Sequence, residues 1–94
     1  MRILKYPLSF GRNTVKSNHG HVLELKHIGF QNSLLYGWFV EYPVEDRDEH
    51  PEEIYIAMTG ETIPDGFSWY MGTAIHEYPT HTSQKGYYVV HAWQ

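Results

Sequence analysis

Ninety-four residues, 41% hydrophobic and 19% charged, supply one modest core and no second one, which excludes both a disordered chain and two independent domains. With no cysteine, disulfides, zinc–thiolate centres and thiol catalysis are excluded. The net charge of −4 argues against a dedicated nucleic-acid binder, which carries a basic stripe. No apolar run approaches the roughly 20 residues of a membrane helix or forms the apolar centre of a signal peptide, so a soluble cytoplasmic domain is expected.

In chain order, residues 2–6 read as a short strand ended by Pro7, which cannot donate to a ladder. Residues 11–20 are turn-rich, with a short edge strand allowed at 14–16. Residues 21–30 alternate, with His21, Leu23, Leu25 and His27 on one face and Val22, Glu24, Lys26 and Ile28 on the other; the leucines are expected inside. After a turn at 31–33, residues 33–42 are apolar on both faces and read as a central strand, with Tyr36, Trp38, Val40 and Tyr42 together on one of them.

Pro43 and Pro51 bracket an acidic loop, and residues 53–59 alternate with Ile54, Ile56 and Met58 toward the core. Ile63, Pro64, Asp65 and Gly66 predict a turn in which proline presets φ and glycine supplies the positive φ. Residues 67–78 read as a long strand with a bulge or bend at Gly72. That strand would carry Phe67, Trp69 and Met71 on one face and Tyr70, His76 and Tyr78 on the other. Residues 87–93 close the chain, Tyr87 facing with Trp93 and Tyr88 with Val90. The expectation is one all-β domain of about six strands, or seven with the 14–16 segment. They would form a meandering antiparallel sheet curled into a barrel or sandwich. Pairing between copies would cover its open edges, so a homo-oligomer is expected.

Charge is uneven: residues 1–28 carry a local balance of +4 and residues 41–65 one of −8. Glu45, Asp46, Asp48 and Glu49 would steer the chain toward a basic protein surface, where exposed Tyr70 and Tyr78 would anchor it. An alternative reading sets Arg12, Lys16 and Lys26 around a small anionic ligand such as a nucleotide, stacked by Tyr36 and Trp38. His19 and His21 stand two apart, which puts both rings on one face of an extended chain, with Glu24 following. Two ligands do not make a metal site, which takes three or four converging on one point, so none is expected. His91, beside the core, is expected to be satisfied by a backbone carbonyl. No Gly-x-Ser-x-Gly elbow, phosphate-binding loop or Gly-x-Gly-x-x-Gly occurs, and the carboxylates crowd into one loop, so no enzyme and no cofactor is expected.

Five short motifs recur in a familiar order. Ile3-Leu4-Lys5-Tyr6-Pro7-Leu8 opens the chain, Gly29-Phe30-Gln31-Asn32 precedes the Trp38 strand, and Thr59-Gly60 with Ile63-Pro64-Asp65-Gly66 follows. Tyr70-Met71-Gly72-Thr73 and Val89-Val90-His91-Ala92-Trp93 complete the order. Over nearly the whole chain it resembles a family of small uncharacterised bacteriophage proteins. The resemblance implies an accessory protein of the host cytoplasm and carries no catalytic residues. A non-enzymatic protein that binds and inhibits or redirects a host protein, a defence protein among the choices, is therefore the leading expectation. Sequestration of a small ligand, or a minor place in the virion, is the alternative.

Overall fold

A computed structural model describes residues 1–44, 51–82 and 84–94. Among them every regular element is a strand: β1 (Arg2–Pro7), β2 (Gly11–Val15), β3 (Val22–Gln31), β4 (Leu34–Tyr42), β5 (Glu52–Met58), β6 (Tyr70–Tyr78) and β7 (Gly86–Trp93). They form two antiparallel sheets, ordered β1-β4-β3 and β2-β5-β7-β6. The edge strand allowed at 14–16 is β2, slightly earlier than expected. Among the described residues no helix is long and apolar enough to cross a membrane.

The sheets stay separate ladders, so the fold is a sandwich and the barrel does not close. Nor is it a simple meander. β2 pairs with β5, and the chain passes from β5 across β7 to reach β6. Each alternating strand has one apolar face, and two sheets can cover each other where a single meander would leave that face in water. Leu23, Leu25, Ile28 and Phe39 from the first sheet meet Ile54, Ile56, Val90 and Ala92 from the second. At Gly37 an added Cβ would lie 2.8 Å from the Phe39 ring and 3.1 Å from methyls of Leu25 and Leu8. Close packing explains the glycine in mid-strand.

Two bulges overturn the expected faces. In β3, Leu25 pairs with Phe39 and His27 with Trp38, which leaves Lys26 as the extra residue. Alternation therefore flips, and Ile28 joins the leucines in the core while His27 turns outward beside Trp38. In β6 the irregularity falls between Tyr70 and Gly72, as the glycine predicts. It puts Tyr70 on the outer face and His76 on the inner one, so these two do not share a face. Residues 67–69 precede the strand. Phe67 covers the outer side of β5 against Tyr55 and under Arg12, Trp69 stands in solvent, and Met71 packs on the core. The Phe67 N–H donates to the Pro64 carbonyl at 3.4 Å. Asp65 and Gly66 are thus the central turn residues, and Pro64 only precedes them; Gly66 has φ 96°.

Candidate functional site: an apolar groove and a carboxylate–histidine cluster

β5 stops pairing at Met58–Val90, whereas β6 and β7 run on to Tyr78–Gly86. Four residues of β7 thus extend past β5, an arm of roughly 13 Å at the usual rise per residue. An aromatic ladder lines its inner side. Phe30 meets His76 at 5.0 Å, His76 lies parallel to Tyr88 at 6.3 Å, and Tyr88 stacks on Tyr78 at 4.7 Å. The Tyr78 ring lies over Gly86, where any Cβ would overlap it.

Two other segments face the ladder. The β3–β4 turn has positive φ at Asn32 (51°) and Ser33 (67°), a two-residue hairpin turn that presents Leu34. The link between β1 and β2 carries Leu8 and Phe10. It is held by Asn13, whose Oδ1 accepts from the Ser9 N–H at 2.8 Å and whose Nδ2 donates to the Ser9 carbonyl at 2.9 Å. Between these parts lies a mostly apolar groove of about 410 Å³, with Ser9, Ser33 and His76 supplying its polar groups. Phe10 and Leu34 remain 57% and 59% exposed at its lip, and Tyr88 39%.

The expected anchors are divided by the fold. Tyr78 belongs to the arm, but Tyr70 lies about 26 Å along the same strand. It sits against the outer face of Trp93, its hydroxyl bonded to Thr73. Glu45, Asp46, Asp48 and Glu49 lie outside the described residues. The ligand set is likewise dispersed. Tyr36 and Trp38 are neighbours on the outer face of β4, while Arg12 stands on the other sheet over Phe67. Lys26 sits on the β3 bulge, 2.6 Å from Glu24, and Lys16 follows β2. The cation that does join the aromatic pair is Lys5 of β1, its Nζ 4.5 Å from the Tyr36 ring centre. Only the β1–β4 pairing, invisible in either strand alone, puts it there.

At the opposite end, Glu41 takes the core-facing position in β4 that continues Leu35, Gly37 and Phe39, and is 2% exposed. Arg2 Nε donates to its Oε1 at 2.9 Å and Ser17 Oγ to its Oε2 at 2.6 Å. His21 Nδ1 stands 3.4 Å from Oε1 and His19 Nδ1 3.5 Å from Oε2. The Ser17 hydrogen bond foremost, then that of Arg2 and the two neighbouring imidazoles, hold the carboxyl down from its ordinary 4.5 to about 2. A carboxyl depressed in the folded chain stabilises it fully above pH 4.5 and loses that contribution as pH falls toward 2. Urea midpoints in metal-free buffer are expected to drop steeply across that interval, and Ser17→Ala should make the drop shallower. An equal slope in both proteins would contradict the assignment to Glu41.

His91 is satisfied differently from the backbone carbonyl expected of it. Thr59 Oγ1 meets its Nε2 at 2.8 Å and Thr73 Oγ1 its Nδ1 at 2.9 Å. Set against family models, curated proteins and solved structures, the chain finds no match.

Proposed function

We propose that this chain is a non-enzymatic binding module that docks on a basic partner protein, seating an apolar side chain of that partner in the groove between the β6–β7 arm and the Leu34 turn. The observation that carries the reading is the groove's lip: large apolar side chains of Phe10, Leu34 and Tyr88 converge there in solvent. Scattered exposed apolar residues mean little, but a contiguous group around a concavity is what interfaces use. The net charge of −4, concentrated at 41–65, favours a basic partner by long-range attraction. The resemblance to small bacteriophage proteins makes a host protein the natural one, inhibited or redirected by the contact.

The test compares the wild-type chain with Phe10→Ser/Leu34→Ser for the partner captured from the host. Both positions are exposed, so the variant should fold normally while its affinity falls at least about tenfold. Replacing Glu45, Asp46, Asp48 and Glu49 with Ser should instead slow association and flatten its salt dependence. Unchanged affinity in the groove variant would overturn the proposal.

A further inference from the structure

The geometry points to a binding site for a zinc-like divalent ion formed by His19, His21 and Glu41. Their ligand atoms all lie within 4.8 Å of one another. The two nitrogen–oxygen separations, 3.4 and 3.5 Å, are long for hydrogen bonds, which fall near 2.7–3.2 Å. Each runs to a different oxygen of the one carboxylate, and each is close to the about 3.3–3.4 Å that separates two donors on a tetrahedral zinc ion. His21 Nδ1 is buried and has no hydrogen-bond partner, although buried ring nitrogens are ordinarily satisfied. His19 Nδ1 accepts from Arg2 Nη2 at 3.0 Å, so that nitrogen is unprotonated and its lone pair is held by a displaceable guanidinium. Both imidazoles therefore bring a ring nitrogen beside the same carboxylate.

The surroundings suit a ligand set. Ser17 fixes the carboxylate through Oε2 and also accepts the His19 backbone N–H at 3.1 Å, the kind of support that orients metal ligands. Arg2 supplies the positive charge when no ion is bound. Its side chain is 54% exposed, so the guanidinium can swing into solvent when an ion replaces it. Two imidazoles and one carboxylate select zinc and neighbouring first-row ions over magnesium or calcium, which prefer oxygen throughout. Three protein ligands leave a fourth position for water. The site joins the 16–21 crossing between the sheets to β4, so ion binding is coupled to the stability of the sandwich.

The test uses the full-length, untagged protein stripped with EDTA. Zn²⁺ at saturation should raise the melting temperature by at least about 5 °C, through binding to the folded state alone, while Mg²⁺ and Ca²⁺ should not. His19 is half exposed, so His19→Ala should fold like the wild type yet lose at least tenfold in Zn²⁺ affinity. His21→Ala should do the same, and His81→Ala should behave as wild type. Co²⁺ should give the intense visible absorption of a tetrahedral site, lost in both variants. No Zn²⁺-dependent rise, or an undiminished rise in His19→Ala and His21→Ala, would overturn the site.

Discussion

Phe39→Ala is expected to remove about 3–5 kcal/mol of stability, a large part of the roughly 5–14 kcal/mol available to a chain of this length. The ring is 0% exposed and packs edge-on against Tyr6 at 5.5 Å. Its neighbour along the core face is Gly37, which has no side chain to move into the space, so the cavity would persist. The melting temperature should fall by roughly 12–40 °C. Trp38→Ala, one residue away on the outer face, is the internal control and should cost clearly less despite the larger side chain removed. Calorimetry of the two variants decides it; a greater loss at Trp38 would reverse the assignment of faces in β4.

Single-residue deletions in β3 should separate more sharply still. Deleting Lys26 removes the bulge residue, after which Leu23, Leu25 and Ile28 all still face inward with their partners Glu41, Phe39 and Gly37. Deleting Glu24 makes Leu23 and Leu25 adjacent, and adjacent residues in a strand point to opposite faces. Both leucines are essentially buried, so one is expelled from the core at a cost of about 2–5 kcal/mol. Denaturant unfolding should therefore place the Lys26 deletion above the Glu24 deletion by at least about 2 kcal/mol. Equal losses would mean that the irregularity is not a bulge centred on Lys26.

The strands of this protein are legible because alternation is local: Leu23 with Leu25, Ile54 with Ile56 and Val90 with Ala92 each announce a core face. What alternation cannot carry is parity across a bulge. Gly72 signals its own, but nothing about Lys26 distinguishes it from an ordinary outward residue, so Ile28 is assigned to the wrong face by counting. β4 is ambiguous for a different reason. Its two faces are both apolar, and the one bearing a glutamate is the one that goes inside.

The sites depend on pairings made across long sequence separations. His19 and His21 are visible as a pair, yet their third partner is Glu41 from β4 rather than the adjacent Glu24. A carboxylate on an otherwise apolar strand is the only signal that could have singled it out. The groove is assembled from the β1–β2 link, the β3–β4 turn and the β6–β7 arm, none of which is unusual alone. Tyr78 stacks on the groove's Tyr88 without lining the groove itself; Tyr70, grouped with it by counting, lies at the other end of β6.

Site-specific photo-crosslinking in the host tests docking through the groove most directly. A benzophenone amino acid is placed at Leu34 on the lip, or at Tyr87 on the outer face of the same arm, both well exposed. The prediction is a strong adduct from position 34 to one basic host polypeptide, with little from position 87. An adduct only to a second copy of the chain, equal adducts from both positions, or none from position 34 would contradict it.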